Sequence, residues 1–231
     1  MRGVRATTLP VALEKLQASG DIHRVPTNGR LDRQRYRYAL WRPNPLRNFK
    51  LSPEQAHTEL GRKYFAWIGP ASAADFQAFS GLGVKAAKTA LDPLKLEHIE
   101  VAPGDLRFLL PGDHARFDAF KPLKVPRYSL LGSIDSMFVL RREKDLGALT
   151  GLASHAIVDR GLLIGLWEYD PATESIAWVS FVKKNKALQE AVTRTENFVR
   201  DQLGDARSFS LDSPKSRAPR ILALRKAAAS A

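Results

Sequence analysis

The chain contains no cysteine among its 231 residues. That absence excludes a disulfide framework, a thiol nucleophile and a thiolate metal site. No run of 18 apolar residues occurs, so no bilayer-spanning helix is expected. The opening Met1-Arg2-Gly3-Val4-Arg5 lacks the apolar stretch of a secretory signal. His23, His57, His98, His114 and His155 are scattered, with no His-x-x-x-His pair, so no metal site is expected and each reads as a surface or satisfied core histidine. Neither a Walker A string nor Gly-x-Gly-x-x-Gly is present, and Gly81-Leu82-Gly83 fits a helix break instead. No cofactor follows from the sequence. Ser80 and Ser154-His155 form no nucleophile elbow.

What the chain has in excess is positive charge. Lys+Arg number 36 against 24 Asp+Glu, a formal net charge of +12. A domain this basic attracts polyanions, of which nucleic acid is the commonest in a cytoplasm. The alternative is an ordinary soluble protein from an organism with a basic proteome. At 44% hydrophobic residues the chain can form one large or two small cores.

Residues 52–110 read as helix, helix, helix, hairpin, the order of a winged helix whose third helix enters a DNA groove. Ser52-Pro53-Glu54 starts the first of these helices, with Ser at the N-cap and Pro at the first helical position. Ala56, Leu60, Tyr64 and Trp67 or Ile68 then face the core. Ser72 is the expected N-cap of the second helix, with Asp75 at N3 near its positive end. After Gly83, Val84, Ala87, Leu91 and Leu94 recur at helical spacing, while Lys85, Lys88 and Lys95 lie on the neighbouring face. One side packs and the other is cationic, as a recognition helix requires.

The first segment looks like the last helix and wing of a similar unit. Residues 10–18 are helical in pattern, and residues 22–25 and 33–41 read as strands joined through Asn28-Gly29. Period two puts Arg33, Arg35 and Arg37 on one face of the second strand and aromatics on the other, although a solvated charged face would look the same. Residues 41–51 form a linker, and residues 110–126, rich in proline, form a connector.

The remainder reads as five strands, over 128–131, 154–160, 162–169, 175–183 and 207–211, with a helix over 186–203 stopped by Gly204. The fold class is α+β: winged-helix units followed by a small antiparallel β-barrel-like domain with a packed helix. Expected domains are 1–45 (a partial winged helix), 46–125 (a winged-helix DNA-binding domain), 126–212 (the β-barrel-like domain) and 213–231 (a basic, disordered tail).

Three strings in a fixed order carry a resemblance. Phe65-Ala66-Trp67-Ile68-Gly69-Pro70-Ala71-Ser72-Ala73-Ala74-Asp75-Phe76, continuing through Phe79-Ser80-Gly81-Leu82, resembles the "YGPAT-ADF-WWSGL" block of bacterial winged-helix DNA glycosylases. These enzymes unhook interstrand crosslinks and excise alkylated bases. Leu130-Leu131-Gly132-Ser133-Ile134-Asp135 followed by Arg141-Arg142 looks like the family's "LLPAFDP…RDR" block. Val158-Asp159-Arg160-Gly161-Leu162-Leu163-Ile164-Gly165-Leu166-Trp167 is similar to its "VDGRVVGTW" hairpin. The resemblance implies double-stranded DNA, including damaged DNA, as the partner, and a nucleoid-associated place in a bacterial cytoplasm.

Family members carry a catalytic Gln-x-Gln or Gln-x-Asp motif in an additional N-terminal winged helix. Here Gln17, Gln34, Gln55, Gln77, Gln189 and Gln202 have neither Gln nor Asp two residues on. The chain is thus expected to bind DNA without an intact catalytic motif, as a short paralogue, a fragment or the product of a start placed too late. It is a DNA glycosylase only if the family activity is retained or restored by a missing N-terminal segment. Ser136 also stands where the family's Asp is usually followed by proline. Asp135 is the one carboxylate placed by motif, and a turn-forming or arginine-paired role suits it better than catalysis.

Candidate phosphate contacts are Arg30, Arg33, Arg35 and Arg37 on the first wing, Lys85, Lys88 and Lys95 on the helix, and Arg107 on the second wing. Arg141 and Arg142 extend this track, whereas Lys183 and Lys184 either join it or close a strand in solvent. A second function class is a non-enzymatic winged-helix transcriptional or architectural regulator, which would usually dimerise over two half-sites; no heptad seam is visible. A third is a partner-binding protein that uses apolar surface around Val11, Leu13 and Leu16.

Overall fold

The structure, a computed structural model, describes residues 8–27, 30, 35–133, 135, 149, 154–207 and 212–229. Helix α1 (Thr8–Ala18) leads into a hairpin of β1 (Ile22–Pro26) and β2 (Tyr36–Leu40), antiparallel with Ile22 opposite Leu40 and Pro26 opposite Tyr36. Gly20 turns the chain between them with a φ of +73°, and a Cβ there would sit 2.7 Å from Asn44 Oδ1. Only glycine suits both conditions. Asn44 Nδ2 donates to Ser19 O and Asp21 Oδ1, closing the corner. Helix α1 has no buried residue, and Leu9, Val11 and Leu16 are exposed. The Asn28-Gly29 turn and Arg33 lie outside the described residues.

The second unit comprises α2 (Pro53–Ile68), α3 (Ala73–Ser80), α4 (Val84–Leu91) and a hairpin of β3 (Glu97–Ala102) and β4 (Asp105–Leu109). Both expected N-caps form. Ser52 and Gln55 bond reciprocally, as do Ser72 and Asp75, each pair satisfying two backbone N–H groups the helix leaves open. Gly81 ends α3 in the left-handed conformation. The core joins Tyr64, Phe65 and Ile68 of α2 to Phe76, Ala87, Ala90 and Leu91. Tyr64 and Phe65 meet edge to face at 5.3 Å. Ala71 bridges Phe108 with two backbone hydrogen bonds, which pins the hairpin beside the helices.

Two expectations about α4 need correction. Val84 is 73% exposed rather than packed, because Ala87, Ala90 and Leu91 form the buried side of this eight-residue helix. Lys95 is not on the helix: a 3₁₀ turn at Asp92–Leu94 follows, and Lys95 takes a left-handed φ of 50°. Pro93 has no N–H to continue the α-helical ladder. Trp67 is half exposed, and Ile68 takes the core position.

After a short α5 (His114–Ala119), the third unit is an antiparallel sheet of β5 (Tyr128–Leu131), β6 (His155–Asp159), β7 (Leu162–Asp170) and β8 (Ser175–Ser180), in that order. Among the described residues the sheet is open, which corrects the barrel expectation. Its faces are covered by two helices instead of curling on themselves. Ile157, Trp167, Tyr169 and Ile176 pack on Leu188, Val192 and Val199 of α6 (Lys186–Phe198) and the π-helical turn that extends it to Leu203. Leu166, Ala177 and Val179 on the other face pack on Ile221 and Leu224 of α7 (Pro214–Ala229). A sheet buried on both faces explains why β6 and β7 read as almost unbroken apolar runs.

Helix α7 replaces the disordered tail expected over 213–231. Its inward arginines each meet an acid. Arg217, fully buried, bonds both oxygens of Asp205 at 2.8 and 3.1 Å. Arg220 reaches Glu168 at 3.0 Å and Asp212 at 2.7 Å, and Arg225 reaches Asp170 at 2.7 Å. The polar composition that suggested solvent is thus half of a set of ion pairs whose acids are buried. Arg207 lies outside any strand, and residues 208–211 are outside the described set.

Candidate nucleic-acid interface

Helix α4 presents its cations by default of packing. Ala87 and Leu91 turn inward, so Lys85 and Lys88, one turn apart, are left exposed together. The placement starts upstream. The Ser72–Asp75 cap fixes where α3 begins, and Gly81 fixes where it ends, so Gly83 starts α4 at a set angle. A groove of about 530 Å³ runs between α3 and α4, lined by Ala74, Gln77, Lys88, Lys95 and Phe108. Lys88 and Lys95 therefore share one concave surface although they do not share a helix.

Arg107 is differently placed. Its Nε donates to Asp105 at 2.9 Å and its Nη1 to Asp75 at 3.3 Å, and the Asp105 hydrogen bond raises its pKa. Its charge is largely compensated within the protein, which makes it a brace between β4 and the start of α3. Arg35 and Arg37 are exposed on or beside β2, and Arg30 lies just before them. Across that hairpin Arg24 sits over the Tyr36 ring at 4.6 Å. Arg33, Arg141 and Arg142 lie outside the described residues.

Asp135 follows β5 as a half-buried residue whose backbone N–H donates to Gly132 O. Its neighbour Ser133 donates its N–H to Nδ1 of buried His155 at 2.8 Å, and His155 Nε2 lies 3.4 Å from Ala206 O. The ring also stacks on Trp167 at 4.4 Å. An imidazole that accepts at Nδ1 and donates at Nε2 is neutral. Burial agrees, lowering its pKa to about 4. Burial acts the other way on Glu168, pushing it up to about 7 and outweighing Arg220 beside it. Glu168 Oε2, Ser133 Oγ and Ser154 Oγ are buried without hydrogen-bond partners.

In the sequence Ser154-His155 registers only as a failed nucleophile elbow, and this polar end of the sheet goes unseen. The available signal is a histidine directly ahead of the apolar run Ala156-Ile157-Val158. Among the described residues, no group of three His, Cys, Asp or Glu can hold a metal ion. None of the described helices is long and apolar enough to cross a membrane.

No curated protein sequence matches the chain. A solved structure of a Streptomyces sahachiroi DNA glycosylase, AlkZ, is similar in fold, with a TM-score of 0.54 and 18% identity. The similarity covers 87% of this chain and 60% of that one. The sequence profile of the family described as DNA glycosylase AlkZ-like matches residues 5–168, from the segment before α1 into β7. By that match the chain belongs to the AlkZ-like DNA glycosylase family.

Proposed function

We propose that this chain binds duplex DNA, including damaged duplex, and does not itself excise bases. Residues 53–109 act as the winged helix, with α4 as the recognition helix and the β3–β4 hairpin as its wing. The observation that carries this reading is the pair of exposed lysines, Lys85 and Lys88, opposite the buried face of α4. Phosphates supply a sequence-independent attraction for such cations. The hairpin of β1 and β2, with Arg30, Arg35 and Arg37, adds a second basic surface, and Arg33 is counted with them from the sequence alone. Arg141 and Arg142 are further phosphate contacts by sequence alone, and Lys95 contributes from the groove beside α4. Arg107 holds the wing in place rather than touching phosphate, because Asp105 and Asp75 already face it. Asp135 has no assigned catalytic role.

The test compares duplex binding by the wild-type chain with Lys85→Glu/Lys88→Glu. Both lysines lie off the buried face, so the variant keeps its circular dichroism and melting profile while its DNA affinity falls tenfold or more. Unchanged affinity in the folded variant contradicts the reading.

A further inference from the structure

The loop between β8 and α6 carries a second cluster of cations, next to two apolar side chains held out in solvent. Phe181 and Val182 are 43% and 46% exposed. Four cations, Lys183, Lys184, Lys186 and Arg194, stand against one carboxylate, Glu190, which pairs with Lys186 at 4.0 Å. Lys184, Lys186 and Arg194 line a hollow of about 640 Å³. The whole loop lies beyond residues 5–168, where the family profile matches.

The apolar tip is fixed in place. Phe181 N–H donates to Ile164 O at 2.8 Å, and Ser180 Oγ donates to Val182 O at 2.8 Å. Asn185 closes the loop on its far side, with Oδ1 accepting from Leu188 N–H and Nδ2 donating to Tyr128 Oη at 2.7 Å. Lys184 is anchored over the Trp178 ring at 5.3 Å. Surface phenylalanine beside valine is unfavourable in water and is normally turned inward or covered. Here the backbone bonds hold the pair outward, with lysines immediately following.

We propose that this loop is a second duplex-DNA contact, in which Phe181 and Val182 enter the minor groove while Lys183, Lys184 and Lys186 meet the flanking phosphates. An apolar side chain that wedges a base step needs cations close by to hold the backbone on either side. The wedge acts best where stacking is already weak, at a mismatch, an abasic site or an alkylated base. The inference rests on the proposed DNA binding and deepens it by naming a second contact and a preference for weakly stacked duplex.

Two variants of the full chain test it, each checked for an unchanged melting profile. The first is Lys183→Gln/Lys184→Gln/Lys186→Gln. The log–log salt dependence of duplex binding should become shallower by roughly 2 to 3, at about 0.9 for each phosphate no longer neutralised. The second is Phe181→Ala, measured on a duplex with 2-aminopurine beside a mismatch. Wild-type protein should raise the 2-aminopurine fluorescence, and the variant should bind with less than threefold loss while giving no rise. If the triple variant keeps the wild-type salt slope while Lys85→Gln/Lys88→Gln has a shallower one, the loop proposal fails and the α4 reading stands. If wild-type protein does not bind duplex at all, both fail. Loss of binding to anionic vesicles, with DNA binding unchanged, overturns the proposal and assigns the loop to lipid.

Discussion

Arg107 on β4 reaches Asp75 on α3 across 3.3 Å, joining residues 32 positions apart in the chain. The same Asp75 carboxylate accepts the Ser72 backbone N–H at 2.9 Å. One oxygen thus serves the cap of α3 and the position of the hairpin, the two features that set α4 against its groove. Both residues are about a third exposed, so solvent weakens the ion pair itself.

Asp75→Ala should lower stability by about 1 kcal/mol, the usual effect of losing a helix cap. Asp75→Asn should retain most of that, because an amide oxygen still caps. Urea denaturation of the three proteins measures it. Equal stability of Asp75→Ala and wild type would mean that the cap is idle.

His155 and Glu168 give opposite pH dependences. His155 has a folded pKa of about 4 against an ordinary 6.5. Its contribution is present above pH 6.5 and is lost as pH falls towards 4. Glu168, raised from 4.5 to about 7, contributes below pH 4.5 and loses that contribution as pH rises through 7. Between these limits the two largely cancel. Glu168→Gln removes one arm, so its stability should climb with pH by roughly 3 kcal/mol more than that of wild type across this window. Parallel pH profiles for the two proteins would show that Glu168 is ionised in the fold.

Arg217 is fully buried against Asp205. Arg207 also reaches Asp205, at 2.6 Å, so removing Arg217 leaves that buried carboxylate one partner instead of two, at a cost of about 3 kcal/mol, the low end for a broken buried pair. Arg217→Ala should therefore melt far below wild type in a thermal scan, and a chain ending at Asp212 should lose the cooperative transition of the sheet. A tail of solvated residues would allow both changes without effect.

Much of the second unit was legible because its signals are local. Ser72 with Asp75, Ser52 with Pro53, and Gly81 each act through neighbours within four residues, so spacing alone identifies them. Lys95 departs from the spacing because periodicity assumes that the helix continues, and Pro93 ends it; Val84 departs from it because, at the first position of α4, it precedes the face that Ala87, Ala90 and Leu91 bury. Helix α7 was invisible for a different reason. Arg217, Arg220 and Arg225 pair with acids on β7 and in residues 205–212, and nothing in the local pattern of a basic segment marks a distant carboxylate. The His155–Ser133 bond was hidden in the same way, across 22 residues.

Base excision requires groups held within hydrogen-bond reach of the sugar, and no glutamine of this chain has Gln or Asp two residues on. The 231-residue chain should leave N7-alkylated and crosslinked duplexes intact in an abasic-site cleavage assay, even where it binds tightly. Lesion-dependent product that disappears in Asp135→Asn would move catalysis to the loop after β5.

DNA binding through α4 is tested by the salt dependence of duplex affinity, from fluorescence anisotropy of a labelled duplex at several salt concentrations. Affinity should fall steeply with salt for any sequence, with a log–log slope shallower by about 2 in Lys85→Gln/Lys88→Gln, roughly one for each phosphate left without its lysine. Weak binding that ignores salt, or an α4 variant with the wild-type slope, would contradict it.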